Sequence, residues 1–258
     1  MHILITNDDG VTAPGLLALA KEMLSLGKVT VLAPDRNWSA SGHAKTMDRP
    51  MRVKEVDLLD GVPAFATDGA PSDCVALAVL GVLREKVDLV VSGINPNANL
   101  GHDVTYSGTV TAAMEAAIWG LPGFAVSLNG PSHPAAEVDF SSAARAARHI
   151  VDTVIKRGLP PNIILNINVP NLPEQEIKGY MVTRQGLRVY LDKLVSRKDP
   201  RGRPYYWIGG EEPTGVPDDG TDFGALSQGY VSITPLHLDM TAYGAINTLS
   251  EWSWDPLG

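Results

Sequence analysis

The chain has 258 residues, with 21 Lys and Arg against 29 Asp and Glu for a formal net charge of −8, and it is 44% hydrophobic and 19% charged. That hydrophobic share excludes a disordered chain and supplies a multilayer core. The acidic balance excludes a protein held on a nucleic-acid polymer or an anionic membrane by its overall field, so an anionic ligand here needs a locally positive site such as a metal ion.

Residues 2–6, His-Ile-Leu-Ile-Thr, read as a strand and run straight into Asn7-Asp8-Asp9-Gly10. The start has neither the basic leader nor the apolar stretch of a secretory signal. The longest apolar run, residues 74–83, is about half the length of a membrane span. The one cysteine, Cys74, lies inside that run and is expected to be inert core packing in a reducing, cytoplasmic compartment. Short β-branched runs at 2–6, 28–33, 88–92, 124–128 and 163–169 alternate with helical patterns at 14–26, 72–84, 109–119 and 138–157. This is the signature of βαβ units. In the last helix Phe140, Ala143, Ala144, Ala147, Ile150, Val151 and Val154 trace one face, which is expected to pack on the sheet.

After Pro170 the rhythm stops. Residues 179–190 read as paired strands, with Arg184, Arg188, Lys193, Arg197, Lys198, Arg201 and Arg203 close together in sequence. Glu211, Glu212, Asp218, Asp219 and Asp222 follow in an acidic, turn-rich stretch. Segregated charge of this kind is a solvated face or a pair of complementary patches for subunit pairing. The expected fold class is α/β: a Rossmann-like, mostly parallel sheet flanked by helices, with C-terminal β-hairpin extensions used in oligomerisation. The whole chain, 1–258, is expected to form one domain, with a core at about 1–170 and a hairpin and tail region at about 171–258.

Ligands of open α/β sheets bind beyond the carboxyl ends of the strands, and three loops there are unusual. In Asn7-Asp8-Asp9-Gly10, adjacent carboxylates can converge only if the strand has ended and the chain is turning. A pair so placed calls for a cation, and a plain Asp-Gly turn is the other reading. The second loop, residues 34–43, is long and polar; Ser39 or Ser41 offers a hydroxyl, and Arg36 and Lys45 are candidates to face an anion. The third, residues 92–103, carries Asn95, Asn97 and Asn99 and leads into Tyr106-Ser107-Gly108-Thr109. There Ser107 suits a helix N-cap, and the amides of Gly108 and Thr109 suit a phosphate seat. His43 and His102 are candidate leaving-group acids or simply exposed, His133 and His149 carry no signal, and His237 suits the C-terminal architecture. Carboxylate, hydroxyl and amide oxygens together suit Mg²⁺ or Mn²⁺ rather than a soft metal, and a phosphoester is the matching substrate.

The NDDG start, the loop from Asn37 to His43, SGIN at 92–95, YSGTV at 106–110 and Thr234-Pro235-Leu236 with Asp239 and Thr241 resemble the SurE family, the stationary-phase survival proteins that are metal-dependent nucleoside monophosphate phosphatases. The resemblance implies one divalent cation per subunit, Mg²⁺ or Mn²⁺, held by Asp8, Asp9, Ser39 and Asn95. It implies a phosphate pocket lined by Asn95, Ser107, Gly108 and Thr109, with Asp8 and Asp9 as the catalytic pair. It also implies 5′- and 3′-nucleotidase activity, some action on short polyphosphate, and homodimers or homotetramers built through C-terminal segments, with no nucleic-acid polymer and no membrane as partner. The family usually has Gly two residues after the ligand asparagine, where this chain has Pro96-Asn97, so the loop over the phosphate is expected to be reshaped. Two other classes stay open at this point: a nucleotide-dependent transferase on a Rossmann-like sheet, which lacks its Gly-rich and Walker motifs here, and a non-enzymatic, stress-related oligomeric binding module. An aspartyl-phosphate at Asp8 is the mechanistic alternative to direct attack by water.

Overall fold

A computed structural model describes residues 1–130, 138–210 and 214–254; His133, Glu211 and Glu212 lie outside them. In chain order come β1 (His2–Thr6), α1 (Pro14–Met23), β2 (Lys28–Pro34), β3 (Val53–Glu55), β4 (Ala64–Thr67), α2 (Pro71–Leu77), β5 (Leu89–Asn95), α3 (Gly108–Ile118), β6 (Gly123–Asn129), α4 (Ser141–Arg157) and β7 (Ile163–Pro170). Then follow β8 (Tyr180–Val182), β9 (Arg188–Val189), β10 (Asp192–Lys198), β11 (Pro204–Gly210), β12 (Thr214–Gly215), α5 (Asp222–Ser227), β13 (Val231–His237) and α6 (Tyr243–Ser250).

The main sheet has nine strands in the order β3-β4-β2-β1-β5-β6-β7-β13-β8. It is parallel except where β3 meets β4 and β13 meets β7. Its central strands are near-continuous apolar runs because helices cover both faces. Ile3, Ile5, Val29, Val31, Val91 and Val126 pack with α1 and with the predicted face of α4. Leu4, Leu32 and Val90 pack with Cys74, Val75, Ala112 and Ala116 of α2 and α3 on the other side. Cys74 is fully buried, and burial pushes its thiol pKa up, so it packs and does not react.

Several boundaries differ from the sequence reading. The second helix ends its α-helical part at Leu77, because Gly81 adopts φ +115° and breaks the run into a wider turn that leaves Leu80 exposed. Residues 179–190 do not pair with each other: β8 lies parallel to β13, and β9 pairs with β12. The long antiparallel hairpin is β10–β11. Its turn is set by Asp199, whose Oδ1 accepts the amides of Arg201 and Arg203 at 2.8 and 2.9 Å.

Candidate active site

β1 pairs with β2 on one side and β5 on the other, so the strand order reverses here. The chain leaves β1 through α1 onto one face of the sheet and leaves β5 through α3 onto the opposite face. The strand ends are thereby pried apart into a crevice, the usual ligand position in open α/β sheets. Asp8 and Asp9 follow β1, and Asn95 is the last residue of β5.

The first loop turns through its own side chain. Asn7 is fully buried, its Nδ2 donates to the Gly10 carbonyl at 2.9 Å, and its Oδ1 accepts the Gly10 amide at 3.2 Å. Gly10 sits at φ +104°, which a side-chain-bearing residue would resist. Beyond the strand end Asp8 turns toward α3, while Asp9 lines a cavity together with Thr12, Pro14 and Gly15 at the start of α1. The Thr109 hydroxyl donates to Asp8 Oδ1 at 2.5 Å. A β-carbon on Gly108 would stand 2.7 Å from Asp8 Cβ and 3.0 Å from its Oδ2, so only glycine lets α3 begin against this carboxylate. Burial raises the Asp8 pKa, and the Thr109 hydroxyl with the amides of Thr109 and Gly108 draws it only part of the way back. Burial, then the charge of Asp8, pushes Asp9 up to about 7. Among the described residues no Lys, Arg or His forms an ion pair with either acid.

The second loop is tied down at both ends. The Trp38 amide donates to the Asp8 carbonyl at 2.7 Å, and the Gly42 amide donates to the Tyr106 carbonyl at 2.9 Å. Thr111 Oγ1 returns a bond to the Gly42 carbonyl at 3.0 Å. Further along, His43 Nε2 lies 3.0 Å from Glu115 Oε2, and Lys45 Nζ donates to Glu115 Oε1 at 2.9 Å. Trp119 Nε1, one helical turn on, donates to the same Oε1 at 2.9 Å. The Glu115 side chain is 2% exposed. Burial alone would raise its carboxyl, but the bonds from His43, Lys45 and Trp119 and the Lys45 charge outweigh that and hold it at about 2. Lys45 therefore pairs with Glu115, and Arg36 stacks over Trp38 with its guanidinium carbon 5.1 Å from the ring centre.

The third loop is held by amides. Asn95 Nδ2 donates to the Asn97 carbonyl, and Asn95 Oδ1 is the acceptor at the other end of the same amide. Asn99 has its backbone amide, backbone carbonyl and side-chain Nδ2 engaged. Its amide donates to Asn168 Oδ1 at 2.8 Å, its Nδ2 donates to Ser127 Oγ at 2.7 Å, and its carbonyl accepts from Asn166 and Asn168 at 2.9 and 3.1 Å. Asp222, placed by the sequence reading in an acidic surface stretch, is instead fully buried. It accepts the amides of Gly101, Gly186 and Phe223 at 2.8, 2.8 and 2.9 Å, since a loop that must lie against the sheet needs acceptors for its backbone. Arg188, from the predicted basic cluster, pairs with Asp103 at 2.8 Å.

Of the residues singled out by sequence, Asp8, Gly108 and Thr109 are in direct contact, and Asp9 adjoins Asp8. Ser107 is the N-cap of α3, its Oγ accepting the Val110 amide at 3.1 Å. Ser39 is exposed, one residue beyond the Trp38 bond to Asp8, with its amide on Asn37 Oδ1 at 2.6 Å. No hydrogen bond among the described residues joins Ser39 or Asn95 to either carboxylate. His43 belongs to the Glu115 cluster, and His102 is exposed. Sequence reasoning missed Glu115, Asn166 and Asn168, and it misplaced Asp222 on the surface. The signals were a single acid inside the Ala-rich run AAMEAA and two asparagines at alternate positions of an otherwise apolar strand.

The family model "Survival protein SurE" matches residues 3–192. A protein of Herpetosiphon aurantiacus named 5′-nucleotidase SurE is 55% identical over 255 residues, covering 99% of each chain. One of Chloroflexus aggregans with the same name is 51% identical over 99% of this chain and 100% of its own length. The crystal structure of the SurE protein from Aquifex aeolicus superimposes with a TM-score of 0.84 at 43% identity, over 97% of this chain and 98% of that one. A family match across most of the chain, full-length relatives at about half identity and a shared fold lead to one conclusion: the chain belongs to the SurE family.

Proposed function

We propose that this protein is a divalent-metal-dependent phosphatase that hydrolyses nucleoside 5′- and 3′-monophosphates to nucleoside and phosphate, with short polyphosphate as a further substrate. The observation that carries the reading is the Asp8–Asp9 pair, two adjacent carboxylates at the strand switch point with no counter-charge among the described residues. The nucleotidase names of the full-length relatives give the substrate class.

The donor set fits one hard cation, Mg²⁺ or Mn²⁺. No group of three or more His, Cys, Asp or Glu placed to hold a metal ion occurs among the described residues. A cation here would therefore be held by Asp8 and Asp9 and complete its shell from the Ser39 hydroxyl, the Asn95 Oδ1 and water, all oxygen donors. When bound, the cation supplies positive charge that polarises a phosphoryl oxygen and makes a nearby water more acidic. The chain does the rest. Asn95, Ser107, Gly108 and Thr109 receive the phosphate at the positive end of α3. Asp8 is engaged by Thr109 on Oδ1 and packs against Gly108 on Oδ2, so it is a fixed anchor and a poor nucleophile. Asp9, half-buried and reachable by solvent, is the carboxylate that orients the attacking water and takes its proton.

The exposed apolar hairpin is the seat proposed for homodimers or homotetramers, which light scattering would measure. No helix among the described residues is long and apolar enough to cross a membrane. The buried thiol of Cys74 suits the proposed cytoplasmic location. The central test is phosphate release from AMP with added Mn²⁺ or Mg²⁺, with and without EDTA. Release that EDTA abolishes and metal restores is the expected result; no metal-dependent release from any 5′- or 3′-monophosphate overturns the reading.

A further inference from the structure

A cavity of about 470 Å³ opens on the α1 side of the crevice, bounded by Asp9 and residues of α1, β5 and the lead into α4. Its volume falls within the roughly 300–1,000 Å³ of small-molecule sites. Ile94 and Phe140, both buried, are among its lining residues, and the Pro14 and Pro96 rings line it too. Thr12 is exposed and Val138 half-buried at its rim. Among the described residues no Lys, Arg or His lines it, and Asp9 does, so the space they form is hostile to a second anion and receptive to a flat, neutral, largely apolar group. The phosphate seat lies across the strand end, on the α3 side with Asp8.

We infer that this cavity is the nucleobase pocket of the substrate, with the phosphate at α3 and the base against Pro96 and Phe140. This deepens the phosphatase reading and rests on it. In this arrangement Asp9 stands between the two parts of the substrate, with the phosphoryl group gripped on the α3 side of the sheet edge and what is attached to it discriminated on the α1 side. Pro96 then has a specific role, since its ring walls the cavity while its carbonyl accepts the Gly130 amide at 3.1 Å and fixes the ring's position.

The test compares AMP with ribose 5-phosphate, which has the same ester and no base, in the full-length protein with Mn²⁺. Thr12→Trp and Val138→Arg fill the rim at positions that are not fully buried, and both are expected to lower kcat/KM for AMP at least tenfold more than for ribose 5-phosphate. Equal losses for the two substrates, or none, overturn the pocket. Adenosine binding to the metal-free protein, followed by saturation-transfer NMR, separates this inference from the activity it rests on. If wild type hydrolyses neither ester, the phosphatase reading fails, while base-proton signals that vanish in both variants still support the pocket. Absent signals in wild type, or signals unchanged in the variants, overturn it.

Discussion

At the β1/β5 crevice, carboxylates, amides and hydroxyls are buried and bonded to one another, whereas along the β10–β11 hairpin Leu194, Trp207 and Ile208 stand 71%, 66% and 83% exposed. Each region withholds what the other shows. The crevice buries polar groups, which costs least when they are paired, and it pairs Asn7, Thr109, Thr111 and Glu115 while Trp38 Nε1, Ser41 Oγ and Ser92 Oγ are buried without a hydrogen-bond partner among the described residues. The hairpin pairs its backbone and leaves its apolar side chains in solvent, a patch of the sort that marks a protein contact. The crevice thus gathers polar groups and the hairpin exposes apolar ones, so substitutions should separate the two regions cleanly.

The largest effect is expected at the carboxylates. Asp8→Asn or Asp9→Asn should lower metal-stimulated phosphate release by at least about 10²-fold, since each removes a ligand charge. The melting temperature in EDTA should hold or rise, because mutual repulsion is relieved; a sharp drop in both variants would show that the pair is structural. Gly108→Ala comes next. Its new methyl would meet Asp8 at 2.7 Å, so a loss of about 1–3 kcal/mol in urea unfolding is expected, together with weakened Mn²⁺ binding by calorimetry.

Glu115→Ala should cost about 1.5–3 kcal/mol through its lost charge-assisted bonds, and hydrogen exchange should quicken in residues 38–46 and not in β10–β11. The same residue predicts a pH response. Its folded pKa of about 2 lies below its ordinary value of 4.5, so its stabilisation is full above pH 4.5 and is lost as pH falls toward 2. Glu115→Gln should flatten that part of the stability curve measured by acid unfolding. The smallest effect on folding is expected from Ile208→Ser, within about 0.5 kcal/mol for an exposed position. Its mark should be a lower oligomeric mass in light scattering, with phosphate release per subunit maintained.

The sequence reading found the elements whose signal is periodic and the loops whose residues are odd. The five central strands were legible because two helical layers make them uniformly apolar, and α4 because Ala143, Ala147, Ile150 and Val151 recur at helical spacing. β13 was not, since Ser232, Thr234 and Pro235 interrupt it. Its inward hydroxyls bond to Thr183 at 2.8 and 2.7 Å, a partner no local pattern announces. At the site, Asp8, Gly108 and Thr109 were foreseeable because strand end and helix start meet by topology. Glu115 was not, because its partners His43 and Lys45 lie about 70 residues away in sequence, and its worth is visible only once the helix is buried.

Since Asp8 meets one helical layer and Asp9 the other, the length of β1 is a functional quantity. Deleting or inserting a single residue in His2–Thr6 would turn Ile3 and Ile5 from the α1 and α4 layer to the α2 and α3 layer and Leu4 the opposite way. A change of one residue in β1 therefore reaches the core and the mouth of the crevice together.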